Sequence, residues 1–297
     1  MLGQYLLSFR EALEAAVILS IVISYLSKTG NRQLTRYVWL GTTFALLASA
    51  VIAVSIASVY GGLSATAAKL FEGIAALVAL TVLTAMILWM AFRGKMLKEE
   101  INERVGHVVD RKVAWGLATF SFVAVFREAL ETVLFLVPFG AGDPSGTVAG
   151  AVLGLASALV ISFLIFSVGI RIDLRRFFYF SSLLMIFLAA GLFGYGVHEI
   201  VDYQKAVGTD TGWLGSYAFD IGIREGDPLH HKGAVGAVFA VLFGYSVRME
   251  WARVIVHTAY LAAFIPLVVL AYRRPGLFDR IRMVAAGLKR IVTGDKR

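Results

Sequence analysis

Apolar residues run along the chain in seven long stretches, 4–27, 37–60, 70–92, 113–139, 147–170, 177–201 and 251–272, separated by connections where charged and polar residues gather. About 20 mostly apolar residues suffice to cross a bilayer as a helix. Each stretch therefore predicts one transmembrane helix, and the expected fold class is all-α: a polytopic membrane protein with seven transmembrane helices. A further apolar piece, 233–247, is short and glycine-rich and lies between the sixth and seventh stretches. It reads as an interfacial or re-entrant segment of that connection.

The charges of the connections set an orientation. Lys28, Arg32 and Arg36 follow the first stretch, and Arg93, Lys95, Lys98, Arg104, Arg111 and Lys112 lie between the third and fourth. Arg171, Arg175 and Arg176 lie between the fifth and sixth, and more basic residues fill the end of the chain from Arg273. Most of the 28 Lys and Arg thus fall on one side. By the positive-inside rule that side is cytoplasmic, which puts the N-terminus outside the plasma membrane and the C-terminus inside. Residues 273–297 space Leu277, Ile281, Val284, Leu288 and Ile291 on one helical face with basic residues opposite, a basic amphipathic cytoplasmic tail for the membrane surface.

Two of the apolar stretches are interrupted in the same way. "REALE" stands at 10–14 and again at 127–131, an offset of 117. "LASAVI" at 47–52 is echoed by "LASALV" at 155–160, and "KLFEG" at 69–73 by "RFFYF" at 176–180, in the same order. Helices 1–3 and 4–6 therefore read as two copies of one unit. Three crossings per copy force the copies into opposite orientations, so the chain is an inverted repeat of helices 1–3 and 4–6 plus a seventh helix. The domain reading is one transmembrane domain over 1–272, with repeat A about 1–92, repeat B about 113–201, an outer connection 202–250 and the last helix 251–272. Counting residues from the outer helix ends puts both motifs roughly 9 to 18 Å below the outer surface.

A charge at the bilayer centre costs about 2.5 to 3.5 kcal/mol on insertion scales. Within each motif the arginine and the second glutamate are four apart and the two glutamates three apart, so all three share one helical face. That face points away from lipid. Glu11, Glu14, Glu128 and Glu131 offer carboxylate oxygens to a cation between the helices, while Arg10 and Arg127 form supporting ion pairs that limit repulsion without it. Intramembrane ionisable groups mark substrate paths, and inverted repeats place a transporter's site near their interface.

Composition narrows the chemistry. Hydrophobic residues make up 59% of the chain and charged residues 16%, against about a quarter charged in soluble proteins. The formal charge of +8 belongs to the topology signals rather than to a nucleic-acid surface; no nucleic acid partner is expected. There is no cysteine among the 297 residues, which excludes disulfides, thiolate ligands and a thiol nucleophile. Carboxylate ligands favour iron, manganese or protons over copper or zinc.

Other polar positions are weaker candidates. Glu72, His198 and Glu199, beside Asp202, form a candidate accessory cation path near the outer ends of helices three and six. Asp220, Glu225, Asp227, His230 and His231 gather in the outer connection as a candidate metal-recruiting loop. His257 reads as a packing or pore-lining residue, and Glu100 and Glu103 as a solvated helix face.

With these residues in view, the chain resembles the oxidase-dependent iron permeases, a family marked by R-E-G-L-E in its first and fourth transmembrane helices. The likeness extends to "LFEG" at 70–73, "GVHE" at 196–199, "LFGYS" at 242–246 and "HTAYL" at 257–261. The resemblance implies iron import across the plasma membrane, with the motif glutamates as iron ligands, iron as the transported substrate and no permanently bound cofactor. It also implies work beside a separate ferroxidase, either a multicopper oxidase or a periplasmic peroxidase system. Ala12 and Ala129 depart from the family's usual glycine. The alternatives are transport of another divalent cation, manganese or lead, and an intramembrane enzyme with paired carboxylates as acid and base. Duplication of the charges across a repeat fits transport, and the chain is expected not to be an enzyme.

Overall fold

The computed structural model describes residues 1–93, 105–106, 114–167, 174–224, 226–230, 235–236, 239–240 and 244–273. Its long helices are α1 (Leu2–Lys28), α2 (Thr35–Gly61), α3 (Ala65–Arg93), α4 (Ala114–Gly142), α5 (Pro144–Ser167), α6 (Leu174–Ala206) and α7 (Trp251–Arg273). Each falls on one of the seven apolar stretches, and the protein is an all-α polytopic membrane protein. Helices α2, α3, α5, α6 and α7 contain runs long and apolar enough to cross a membrane. The other two, α1 and α4, have 27 and 29 residues, ample length at 1.5 Å per residue. What sets them apart is the charged motif that each carries.

Helices α1 to α3 pack on helices α4 to α6. α1 lies along α5, α2 along α4, and α3 along α6, whereas α1 touches α2 only slightly. α7 packs on α6 and, less extensively, on α3. Two glycines show how closely this exchange is followed. A methyl group on Gly41 of α2 would fall 2.1 Å from the carbonyl oxygen of Ala118 on α4, and one on Gly150 of α5 would fall 2.7 Å from that of Met1 beside α1. Met1 and Ala118 are separated by the same 117 positions as Arg10 and Arg127. One close backbone crossing is therefore built twice, and only glycine lets the backbones approach so far.

Leu7, Leu83, Ile87, Phe135, Met185 and Ile186 form the main buried cluster where α1, α3, α4 and α6 converge, and α7 adds Tyr260 and Val268. A second cluster, Val22, Leu26, Val38 and Leu117, joins α1, α2 and α4 at the other end of the bundle. Lipid tails are as apolar as leucine, so such contacts hold through close packing rather than through transfer from water. Trp39, Phe44, Leu47 and Val51 on α2, and Val152, Leu159 and Phe163 on α5, are exposed and form the lipid-facing surface.

Between α6 and α7 the chain forms a pairing that the apolar pattern does not predict. Strand β1 (Tyr217–Asp220) runs antiparallel to β2 (Arg248–Glu250). Strands of four and three residues are too short for alternation to register. Much of 233–247, Glu100, Glu103 and the tail beyond Arg273 lie outside the described residues.

Candidate functional site

The two motifs meet where α1 crosses α4. Glu11, Glu128 and Glu131 each bring a carboxylate oxygen within 4.8 Å of the others. Arg10 Nη1 donates to Glu11 Oε1 at 3.2 Å, Arg127 Nη2 donates to Glu128 Oε1 at 2.7 Å, and Arg127 Nε lies 3.5 Å from Glu131 Oε1. In each glutamate one oxygen thus faces an arginine. The other, Oε2 of Glu11, Glu128 and Glu131, is buried without a hydrogen-bond partner. A buried unsatisfied acceptor costs about 1–3 kcal/mol, more when charged, and three at one point make a strong preference for a cation.

Glu14 stands apart from this trio. Its Oε1 lies 2.9 Å from Arg10 Nη2, a charge contact without hydrogen-bond alignment, so of the four predicted ligands three share a metal-sized group and Glu14 lies outside it. The arginines differ too. Arg10 is 2% exposed and also donates from Nη1 to Met86 Sδ at 3.3 Å. The Arg127 side chain is 46% exposed and lies over the Trp89 ring, 5.3 Å from its centroid. Neither Met86 nor Trp89 is distinguishable in the sequence from an ordinary apolar position of α3. Ala12 and Ala129 are only half-buried.

The motifs lie deeper than the count from the helix ends suggests. Met1 sits against Gly150, and Tyr5 and Phe9 against Gly154, so α1 starts about 9 Å inside the level at which α5 starts. Arg10 to Glu14 then come level with the α5 midpoint, and the Gly41–Ala118 crossing carries Arg127 to Glu131 to the middle of α2 in the same way. Both motifs are at roughly 20 Å from the helix ends, near the mid-plane.

At the Met1 end of the bundle a ladder of polar contacts links α3 to α6. Lys69 Nζ is 2.9 Å from Asp202 Oδ2. Glu72 accepts hydrogen bonds from the Tyr60 hydroxyl at 2.7 Å and from the Tyr195 hydroxyl, so it is held between two phenols. Glu199 is half-buried on α6 beside His198. His198 Nδ1 is 3.0 Å from Glu250 Oε1. Burial raises the Glu250 carboxyl, but the His198 hydrogen bond outweighs it and holds Glu250 below the usual carboxylate range.

Sequence reading missed Glu250, since a single acid before an apolar run has no spacing signal; only its contact across β2 to α6 reveals it. The outer-connection residues are spread out. Asp220 pairs with Arg248 at 2.8 Å and accepts from the Gly222 N–H, Asp227 accepts from the Leu229 N–H, and His230 is buried. Among the described residues these form no metal-sized group, and Glu225 and His231 lie outside the described residues. His257 lines an apolar cavity of about 660 Å³ with Phe219, Ile221, Tyr245 and Met249.

Residues 1–272 match the model of the iron permease FTR1 family. An uncharacterised protein of Archaeoglobus fulgidus is 43% identical over 274 residues, 92% of this chain and 96% of that protein. The ferrous iron permease EfeU of Yersinia pestis is 32% identical over 274 residues, 91% of this chain and 93% of its own length. EfeU of Escherichia coli is 36% identical over 191 residues, 63% of this chain and 69% of its own length. No solved structure matches the chain.

Proposed function

The chain belongs to the iron permease FTR1 family, and from that premise we propose that it imports iron across the plasma membrane through the crossing of its two R-E-A-L-E motifs. It is a membrane transporter and not an enzyme. The observation that carries the proposed route is the trio Glu11, Glu128 and Glu131, each with a buried oxygen that lacks a donor. Its oxygens suit a hard or borderline cation, and the arginines limit the mutual repulsion of the acids between passages. Glu14 holds Arg10 in place and becomes a fourth ligand when the arginine shifts. We read the ion as iron, which the printed name of the Yersinia relative gives as its cargo, and a separate ferroxidase as the partner that sets its oxidation state before passage.

In this reading the Met1 end faces outward, residues 1–272 act as one domain, and the tail beyond Arg273 lies at the cytoplasmic surface. The test is iron accumulation in cells expressing Glu14→Ala or Glu131→Ala at wild-type levels, together with a ferrous, manganous and lead competition panel in proteoliposomes. Uptake equal to wild type in both variants removes the proposed route. Stronger transport of manganese or lead than of iron reassigns the substrate, and unchanged uptake in cells lacking every ferroxidase removes the partner.

A further inference from the structure

A second group of metal-ligating side chains lies at the Met1 end, away from the motifs. His198 and Asp202 are one turn apart on α6, which puts imidazole and carboxylate on one face, and Glu250 ends strand β2 just before α7. One ligand atom from each lies within 4.8 Å of the others. Glu250 is 2% exposed; its Oε1 meets His198 Nδ1 at 3.0 Å, while its Oε2 is buried with no hydrogen-bond partner. That oxygen is buried without a donor of its own, a position in which an acceptor gains from an added partner.

The charges around the group are close to balanced. Lys69, from α3, holds Asp202 Oδ2 at 2.9 Å; Arg253, one turn into α7, and Glu199, beside His198, are half-buried nearby. We propose that His198, Asp202 and Glu250 form a site for a divalent first-row transition-metal ion at the outer mouth, with Lys69 as the built-in cation that the metal displaces from Asp202. The proposal rests on the reading that iron crosses this chain.

Chemistry separates this site from the motif crossing. One imidazole and two carboxylates form a borderline donor set suited to ferrous and related divalent ions, whereas the motif trio is all oxygen. Along α3 from Lys69 to Met86, which touches Arg10, the two are about 25 Å apart. Lys69 already pairs with Asp202 at 2.9 Å, so an ion must compete with an ammonium group for that carboxylate. This keeps binding weak enough for onward release. The His198–Glu250 contact at 3.0 Å holds imidazole and carboxylate side by side.

The test titrates cobalt(II) into the purified full-length protein in detergent and follows its visible absorption. The background is the double variant Glu128→Gln, Glu131→Gln, which removes two of the motif carboxylates. One cobalt(II) per chain is expected to bind in that background. Adding His198→Gln should weaken it at least tenfold and change the spectrum, and adding Lys69→Met should tighten it severalfold, a gain that a misfolded protein cannot produce. No cobalt(II) binding in the motif background overturns the proposal, as does binding that neither His198→Gln nor Lys69→Met alters. Iron uptake by the Glu128→Gln, Glu131→Gln variant reports on the motif route and cobalt(II) binding on the mouth site, so the two readings fail separately.

Discussion

Glu11 and Glu128, from opposite halves of the chain, bring carboxylate oxygens within 4.8 Å of each other at the crossing of α1 and α4, and each keeps a second buried oxygen without a donor. Two acids this close and this dry repel one another unless a proton or a cation lies between them. The arrangement is unfavourable for folding and favourable for capturing a cation.

Glu11→Gln and Glu128→Gln should therefore separate stability from transport. Each glutamine keeps an oxygen for its arginine and removes one negative charge from the trio. Iron uptake should fall at least tenfold in each variant, about 1.4 kcal/mol or more of lost cation stabilisation, while the melting temperature in detergent stays level or rises. Parallel uptake and thermal-melt measurements check this; a fall in melting temperature matched by the fall in uptake would assign the pair a structural role instead.

The arginines should respond unequally although their motifs are identical in sequence. Arg10 is buried against Glu11, Glu14 and Met86, so Arg10→Met strands two buried acids, and breaking such a set costs about 3–5 kcal/mol. Arg127 has an exposed side chain lying over Trp89. Its guanidinium is only partly enclosed by protein, so its loss disturbs less packing, and Arg127→Met should cost less. Thermal unfolding of the two purified variants measures the difference, and equal losses would contradict the asymmetry.

That asymmetry marks where sequence stops being informative. The letters REALE, twice, in antiparallel helices, were sufficient to bring the motifs together, because helical spacing fixes the shared face and three crossings per copy fix the inversion. They were not sufficient to distinguish Arg10 from Arg127, whose surroundings come from α3, a helix whose contribution at Met86 and Trp89 looks like plain apolar filling. Spacing makes Glu14 a ligand equal to the other three because it cannot show which of the four acids converge within a metal-sized distance. Glu250 was invisible for a related reason: it joins His198 through a three-residue strand, and no local pattern encodes a contact across a connection of that length. The interlocking of α1 with α5 and α2 with α4 was equally hidden, since neighbours in sequence ordinarily pack as neighbours in space.

The interlock predicts paired sensitivity at Gly41 and Gly150. Alanine at either position pushes a methyl into a carbonyl of the facing helix, and overpacking of this kind costs about 1–3 kcal/mol. Gly191 of α6 has nothing within 4 Å of where its methyl would go, so Gly191→Ala keeps only the gain in helix propensity, up to about 1 kcal/mol. Melting temperatures of the three variants should fall for Gly41 and Gly150 and hold or rise for Gly191. Similar behaviour at all three would mean the crossings are looser than the 2.1 and 2.7 Å approaches indicate.

Orientation can be tested because the chain has no cysteine to remove. Ser27, at the end of α1, and Ser64, between α2 and α3, are both exposed; Ser→Cys is a small change, and the two sites sit at opposite ends of the bundle. The basic residues cluster on the Ser27 side, at Lys28, Arg32 and Arg36, which the positive-inside rule places in the cytoplasm. A membrane-impermeant maleimide added to intact cells should therefore label Ser64→Cys and not Ser27→Cys, with both labelled after permeabilisation. The reverse pattern would turn the protein over in the membrane, place the His198, Asp202 and Glu250 group on the cytoplasmic side, and make it a point of exit for the ion instead of its point of capture.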